Sequence, residues 1–285
     1  MSFIQNGAIS VADSFGATLS TWWLCPTQQQ FQDMGGFSAQ PSYSLFDISL
    51  PPGGTQSSFC LKLDLATSTH LGGPSPPYAV GFFVYIAPAD PDKFAFWQTA
   101  GEVWLPATNT IGLLFGAWNH TLVAVDANHT GGGDPKICKV YLNGASVSIS
   151  SSADGSGGTA FQMALNNAVC GVPGTAWDRD PANSFEFGFD LSYKLPMQVS
   201  CTQFYRSFID PAVSNNLAKF VRLDADNKPL LPADIRAAEK AFGTPDIWLV
   251  RDSVSGVKYE DNQGTAGDFT VVGTSPQDFF PGPGQ

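Results

Sequence analysis

The sequence predicts an all-β fold, a sandwich of two antiparallel sheets, and three observations lead to that prediction. Gly and Pro supply 29 and 21 of the 285 residues and are spread along the whole chain, which suits short strands joined by tight turns. Segments rich in β-branched and aromatic residues recur between those turns. Helical patterns are confined to the C-terminal part. We expect a single domain over residues 1–285, with a sandwich core at about 10–210 and a C-terminal extension at about 211–285.

The strand candidates mix β-branched, aromatic and polar side chains between turn signals. In chain order they cover residues 17–24, 43–50, 59–65, 78–87, 94–98, 102–105, 110–115, 121–126, 136–142, 184–195 and 197–208. The dipeptide Asn143-Gly144 is a hairpin-turn signal. It predicts that residues 139–142 pair with residues 145–149.

Two kinds of segment interrupt the strand pattern. Residues 150–158, SSSADGSGG, are either a domain linker or a loop of the sandwich. The loop interpretation is favoured, because later strands are needed to complete the sheets begun before it. Short helices are predicted at residues 211–221 and 232–242, and Gly243 and Pro245 end the second one.

The charge balance argues against one class of partner. The chain has 25 acidic and 14 basic residues, a formal net charge of −11, so nucleic acid would be repelled at long range. No run approaches the roughly 20 apolar residues of a membrane span, and the N-terminus lacks the basic and apolar regions of a signal peptide. We therefore expect a protein that is not inserted in a membrane and stays in the cytoplasm where it is made.

The cysteines give no sign of a metal or redox centre. None of them has the CxxC spacing of a zinc site, and their odd number leaves at least one unpaired. Buried free thiols are the favoured interpretation. The five are Cys25, Cys60, Cys138, Cys170 and Cys201.

Two segments in the middle of the chain carry a family resemblance. Residues 118–125 read WNHTLVAV and residues 139–144 read KVYLNG. With the Gly-rich turn between them, they resemble the central signature of concanavalin A-like, laminin G-like jelly rolls, in which a W-x-H strand precedes a vYvNG hairpin. The resemblance implies a jelly-roll sandwich with one or two short helices near the C-terminus. It also implies that Trp118 and His120 cap a strand end and that Tyr141 packs inward.

A second, sharper resemblance covers roughly the last 85 residues. Four runs resemble, in order and in most positions, a tail found in structural proteins of tailed bacteriophages and prophages. They lie at residues 204–220, 224–229, 245–249 and 262–273. The sequence departs from that pattern at Asp226-Asn227, where a Gly is usual, and at Ala266 before Gly267, and both departures bear on turn geometry.

The phage-type resemblance has consequences for location and partners. It implies a virion protein that is assembled in the host cytoplasm. The expected partners are other virion proteins, met through homo-oligomer or lattice contacts, and host-surface carbohydrate is a further candidate. Nucleic acid and membrane are not expected as partners.

Catalysis can be tested against the residues that it would require. Glycoside hydrolysis needs two carboxylates about 5 to 9 Å apart, and the glucanase relatives carry theirs as E-x-D-x-x-E on one strand. No such run occurs, and Glu102 and Glu186 stand alone within aromatic strands. Aspartates from different strands can still meet in space. A G-x-S-x-G elbow and a phosphate loop are also missing, and His120 is interpreted as structural. The sequence therefore predicts no enzyme.

Sugar binding requires an exposed aromatic ring beside polar groups, because a sugar ring offers C–H faces and hydroxyls. The loop at residues 174–180, GTAWDRD, combines both, with Trp177 as the best candidate. The ligand-binding candidates are Trp177, Asp178, Asp180, Trp104 and Trp97.

No cofactor is expected, with calcium as the open alternative. Paired carboxylates such as Asp178 with Asp180, or Asp224 with Asp226, are ligands that calcium takes. An Asp-rich turn without metal is the favoured interpretation.

The favoured function is a non-enzymatic structural protein of a tailed phage or phage-like particle, such as a capsid decoration, spike or tail-associated adhesin. A glycan-binding lectin module for host adsorption is the alternative hypothesis. A polysaccharide-degrading glycosidase is a third.

Overall fold

The computed structural model describes residues 2–4, 11–25, 27, 29, 42–49, 57–67, 78–86, 95–99, 111–128, 137–154, 160–165, 169–173, 198–250 and 261–272. Its strands in chain order are β1 (Ser2–Ile4), β2 (Gly16–Leu24), β3 (Ser42–Ser49), β4 (Ser57–Thr67), β5 (Tyr78–Ile86), β6 (Ala95–Thr99), β7 (Trp118–Asp126), β8 (Ile137–Leu142), β9 (Ala145–Val147), β10 (Ile149–Asp154), β11 (Val169–Pro173), β12 (Gln198–Tyr205), β13 (Arg222–Leu223), β14 (Pro229–Leu230), β15 (Ile247–Leu249) and β16 (Thr270–Val272). A short helix, α1, spans Ala237–Phe242.

Most of these strands form two antiparallel sheets. The larger sheet has the order β10-β6-β5-β4-β3-β11-β1-β16, and the smaller has the order β15-β12-β2-β7-β8-β9. β13 and β14 form a separate hairpin. The predicted all-β sandwich of two antiparallel sheets is confirmed.

The chain joins the two sheets along both lateral edges. β9 lies at one edge of the smaller sheet and leads across Ser148 into β10, at an edge of the larger sheet. The opposite edge strands are β15 in the smaller sheet and β16 in the larger sheet, both from the C-terminal part of the chain. The C-terminal part therefore completes both sheets. The single-domain assignment of residues 1–285 stays a prediction.

The core lies between the sheets and takes alternate residues of their strands. Ala17, Leu19 and Trp23 of β2 point into it and are fully buried. At its centre three rings from both sheets meet, with Phe204 stacked on Phe46 at 5.3 Å between ring centroids and in edge contact with Phe59 at 5.4 Å. Contacts of this kind add to the burial of apolar area.

The predicted hairpin turn is present between β8 and β9. Asn143 and Gly144 have φ values of 51° and 80°, the left-handed conformation that this turn requires. The Asn143 side chain then reaches back into the sheet, where its Oδ1 accepts the backbone N–H of His120 at 2.9 Å and its Nδ2 donates to Asn119 Oδ1 at 2.8 Å.

The strand prediction at residues 110–115 is wrong for 111–115, which have no regular structure. Side-chain amides take the place of a strand ladder there. Asn119 Oδ1 accepts the backbone N–H of Leu114 at 2.9 Å, and Asn119 Nδ2 donates to the Leu114 carbonyl at 2.8 Å. The apolar run thus packs as a loop that two buried asparagines hold in place.

The Ser-rich stretch also differs from its prediction. Residues 150–154 belong to β10, which pairs with β6, so neither a linker nor a loop interpretation holds for them, while 155–158 lie outside the described residues. Because β10 is an edge strand, its polar residues are tolerated in the sheet. The strand candidates 102–105 and 184–195 also lie outside the described residues. The remaining strand predictions are confirmed to within a few residues.

The two helix predictions hold only in their last turns. Residues 211–221 form successive turns that include a 3-10 turn at Leu217–Lys219. In the second segment only α1 is helical, and Gly243, with φ 92°, ends it by donating its N–H to the Glu239 carbonyl at 2.8 Å. In the described part of the chain, no helix is long and apolar enough to cross a membrane.

Candidate functional site

The outer face of the smaller sheet, opposite the core, is covered by the chain itself. Residues 209–242, which we call the C-terminal cover, place Ile209, Phe220 and Ala238 against Leu122 and Tyr205 of the sheet. A second cluster joins the sheet residues Trp22, Cys201 and Trp248 to the cover residues Val221, Leu217 and Leu231. A sheet face that could have formed an open groove is therefore filled.

Tyr141 shows how this face differs from the expectation. The resemblance implied that its ring packs inward, but Tyr141 is half-buried against the C-terminal cover, not in the core between the sheets. The reason is alternation: Val140 and Leu142 of β8 take the core positions, so Tyr141 points to the opposite face.

Polar contacts tie the beginning of the cover to the sheet. Lys139 Nζ lies 2.7 and 2.8 Å from the two carboxylate oxygens of Asp210, and both side chains are about one-third exposed at 31% and 28%. Partial burial acts to raise the pKa of Asp210. The hydrogen bonds from Lys139 and from the Ala212 N–H outweigh it and hold that pKa below its usual value. Thr18 adds a tie in the sheet, because its hydroxyl accepts the Ile209 N–H at 2.9 Å.

The most unusual chemistry on this face is a buried pair of Ser20 and His120. Ser20 Oγ of β2 lies 2.8 Å from His120 Nε2 of β7, and the imidazole is tilted against the Trp22 ring at 4.9 Å between centroids. His120 Nδ1 has no hydrogen-bond partner among the described residues. Burial lowers the pKa of His120 to about 3, so its ring is neutral at pH 7.

This pair lacks what a catalytic serine and histidine require. A nucleophilic serine needs an imidazole that a third group orients, and it needs access to substrate. Here Nδ1 meets no carboxylate in the described part of the chain, and the exposed fractions of Ser20 and His120 are 3% and 0%. His120 is thus structural, as the sequence suggested.

A second feature locks the C-terminal strands together. Asn262 is buried; its Oδ1 accepts the Trp248 N–H at 2.7 Å and the Gly264 N–H at 3.0 Å, and its Nδ2 donates to the Asp246 carbonyl at 3.2 Å. At Gly264 a Cβ atom would lie 2.5 Å from the Asp246 carbonyl oxygen and 2.6 Å from that of Pro245. Residues 245–249 and 262–269 are therefore in close backbone contact; we call them the C-terminal lock.

Asp246 connects the lock to the end of β12. Its carboxylate accepts the backbone N–H of Arg206 at 3.1 Å, Nε of the same residue at 2.8 Å and the Thr265 hydroxyl at 3.2 Å. Within the runs that carry the phage-type resemblance, Arg206, Asp246 and Thr265 thus bond to one another. At the two departures, Asn227 and Gly267 adopt the left-handed φ values of 61° and 84°.

The sequence-predicted ligand site is not brought together by described residues. Trp177, Asp178, Asp180 and Trp104 lie outside the described residues, as do Glu102 and Glu186. Trp97 is in β6, where its backbone is in register with Val84 of β5 and Ser151 of β10. The sugar-binding role of these five candidates stays a prediction.

The second calcium candidate forms a turn. Asp224 Oδ1 accepts the backbone N–H groups of Asp226 and Lys228, each at 2.8 Å, in the hairpin between β13 and β14. Such side-chain to backbone bonds are typical of an Asp-rich turn. Among the described residues, no three His, Cys, Asp or Glu side chains are grouped as metal ligands would be.

The described thiols are free. Cys25 and Cys201 are buried and Cys138 is half-buried. Burial raises the pKa of all three thiols, and that of Cys201 to about 12 although the Trp248 side chain opposes the rise. They are therefore poor nucleophiles at neutral pH.

Sequence reasoning missed Ser20, and it included Asn262 and Gly264 in the phage-type run at residues 262–273 without assigning them a role. Of the Ser20–His120 pair, the sequence pattern could have placed only His120. It alternates with Trp118 and Leu122 along β7 and so shares their face. Ser20 is 100 residues away in sequence, and its pairing with His120 depends on the register of β2 with β7.

Comparisons with known proteins find matches among solved structures alone. No family model matches the sequence, and no curated protein matches it. Among solved structures, a heptameric SAP-like pentraxin from Limulus polyphemus aligns with a TM-score of 0.42 and 9% identity, over 74% of this chain and 71% of that one. The binding domain of botulinum neurotoxin serotype G gives 0.41 and 10%, over 80% and 46%. The CBM40 of a Ruminococcus gnavus sialidase gives 0.33 and 11%, over 74% and 94%.

Proposed function

We propose that this chain is a non-enzymatic structural component of a tailed-phage or phage-like particle, such as a capsid decoration, spike or tail-associated adhesin. The observation that carries the proposal is the state of the smaller sheet's outer face. A polysaccharide-degrading sandwich needs an open cleft with two carboxylates, whereas here the C-terminal cover fills that face with the chain's own side chains.

The Ser20–His120 pair supports the non-enzymatic part of the proposal. It is the one close hydroxyl–imidazole contact in the described residues, and it is sealed beneath the cover without a carboxylate at Nδ1. Reaction with a substrate there would require the C-terminal cover to dissociate from the sheet and a carboxylate or similar group to orient the imidazole.

The C-terminal lock supports the link with phage particles. The runs at residues 245–249 and 262–273 resemble phage structural proteins, and in this chain their bonds tie residues 245–249, including β15, to the segment that leads into β16. The resemblance therefore falls on residues that build the sandwich. This favours a fold shared with those phage proteins over a separately acquired C-terminal segment. The expected partners are copies of this chain or other virion proteins, and the expected location is the virion.

Glycan binding is the second candidate function. Trp177 lies in the sequence between β11, which ends at Pro173, and β12, which begins at Gln198. The loop predicted at residues 174–180 is the kind of segment in which binding residues concentrate. An aromatic ring next in sequence to Asp178 and close to Asp180 fits the needs of a sugar ring.

Two measurements test these proposals. Quantitative mass spectrometry of particles from cells that encode this chain should find it in a fixed stoichiometric ratio to the other particle proteins. Its absence from particles, together with release of reducing ends from a polysaccharide by the purified chain, would overturn the proposal.

A glycan array tests the second candidate. If Trp177 is a binding platform, Trp177→Ala should abolish binding, and the matched variant Trp177→Phe, which keeps a ring, should retain part of it. Binding that is equal in all three chains would exclude Trp177. No binding to any glycan would remove the second candidate and leave the structural proposal in place.

A further inference from the structure

The environment of His120 combines a buried imidazole with uncharged neighbours. β2 presents Ser20 and Trp22 to it, neither of which carries charge. The other titratable groups that the described strands place on this face are Asp126 at the end of β7, whose carboxylate accepts the Asn128 N–H, Lys139 and Tyr141 from β8, and Cys201 and Tyr205 from β12.

The carboxylates of the C-terminal cover are all engaged elsewhere. Their partners are Lys139 for Asp210, the turn N–H groups for Asp224, Lys228 for Asp226, Lys240 for Asp234 and Arg236 for Glu239. The cover's remaining charged residues, Lys219 and Arg222, are cations. An imidazolium at position 120 would therefore be a buried charge without a counter-ion among the described residues, which is a strongly unfavourable state.

We propose that acid releases the C-terminal cover: protonation of His120 beneath it, and of Asp210 at its edge, favours a state in which residues 209–242 have left the outer face of the smaller sheet. The released state exposes an apolar, aromatic face that includes Trp22, Leu122 and Tyr205. The sandwich core lies on the other side of the sheet and does not depend on this contact.

The direction and size of the response follow from proton linkage. Burial lowers the pKa of His120 to about 3 in the covered state, whereas an exposed imidazole has a pKa of about 6.5. The uncovered state binds more protons between these values, so lowering the pH favours it. The ratio of uncovered to covered chains should rise about tenfold per pH unit below about pH 6.5, or about 100-fold by pH 4.5.

Asp210 acts in a lower window. Its pKa is held below the usual value in the covered state, so it stabilises the cover while ionised and loses this effect only as the pH falls below about 4. The contributions of the imidazole and of the carboxylate are therefore separable by pH.

Hydrogen–deuterium exchange of the full chain tests the proposal. After correction for intrinsic exchange rates, amide protection over residues 209–242 should fall about 100-fold from about pH 6.5 to pH 4.5. Peptides from β4 and β5 of the larger sheet serve as the internal reference and should keep their protection. The double variant His70→Gln/His129→Gln, which leaves His120 as the only histidine, should respond as the natural chain does.

Variants separate the two groups. His120→Gln should remove the loss of protection between pH 6.5 and 4.5, and Asp210→Asn should lower protection of the cover at neutral pH while leaving that pH response in place. If His120→Gln does not fold, the double variant still tests the proposal. In that variant the logarithm of the protection factor of residues 209–242 should change by about one unit per pH unit below about pH 6.5, as uptake of one proton requires. Equal protection of residues 209–242 at both pH values, or parallel loss in β4 and β5, would overturn the proposal.

Discussion

The substitution Gly264→Ala tests the C-terminal lock most sharply, because the clash it creates is with backbone atoms. The new Cβ would lie 2.5 Å from the Asp246 carbonyl oxygen and 2.6 Å from that of Pro245. Ordinary contact begins at 3.4 Å, so the two segments must separate by about 0.9 Å. Those same carbonyls accept the N–H groups of Ala266 at 2.9 Å and Thr265 at 3.1 Å, and neither bond survives such a shift.

The size of the effect follows from these two bonds. Each contributes about 1 kcal/mol net, and buried backbone groups left without partners cost a further 1 to 3 kcal/mol, so the free energy of unfolding should fall by about 3 to 5 kcal/mol. For a chain of this size that is a decrease of about 10 °C in Tm. Urea denaturation followed by fluorescence, and thermal unfolding followed by circular dichroism, measure both.

A matched glycine variant provides the control. Gly112→Ala places its Cβ in open space but keeps a φ of +75°, so it should cost only about 1 kcal/mol of backbone strain. If Gly264→Ala destabilises the chain no more than Gly112→Ala does, the close contact in the lock is refuted.

Three further predictions concern the lock, the buried imidazole and the thiols. Asn262→Ala leaves the Trp248 N–H without its acceptor and should lower the free energy of unfolding by about 2 to 4 kcal/mol. Urea denaturation should show a lower midpoint with an unchanged m-value. A decrease smaller than about 0.5 kcal/mol would contradict the C-terminal lock. Because the folded-state pKa of His120 is about 3 and an unfolded imidazole titrates near 6.5, the stability this residue contributes is complete above about pH 6.5. It should be lost by about 1.4 kcal/mol per pH unit below that, a slope that His120→Gln should remove from urea titrations. Cys25 and Cys201 should resist iodoacetamide in the native chain and react in urea, as mapped by peptide mass spectrometry; rapid native labelling of either would contradict their burial.

The sequence predicted the strands well where alternation is strong. β2, β7 and β8 bury one row of residues between the sheets, and Asn143-Gly144 supplies a turn whose left-handed φ values few other residues tolerate. These features are local, so they can be recognised without knowing the partner strand.

The failures have a common physical cause, which is that long-range partners override local pattern. Residues 111–115 look like a strand, but Asn119 and Asn143 satisfy the backbone of this segment through side-chain amides. Residues 150–154 look like a loop, yet pairing with β6 makes them an edge strand. The two-faced burial of β7 and β8 could not be anticipated, because the C-terminal cover that buries their second face lies about 70 to 120 residues further along the chain.

Of the candidate site, the sequence predicted only that His120 is structural. The expectation that His120 is structural agrees with its burial, but its pairing with Ser20 depends on the β2–β7 register. The phage-type runs were recognised as a resemblance, and the structure gives their physical role: Asp246, Asn262 and Gly264 hold two backbone segments in contact.

Hydrogen–deuterium exchange at neutral pH tests most directly whether the C-terminal segment seals the smaller sheet. The amides of residues 247–249, and those of Phe220 and Val221 in the cover, should exchange as slowly as those of β2 and β7, since these residues are hydrogen-bonded and buried. Exchange of residues 209–250 within seconds, while β2 and β7 remain protected, would contradict the cover and leave the sheet face open.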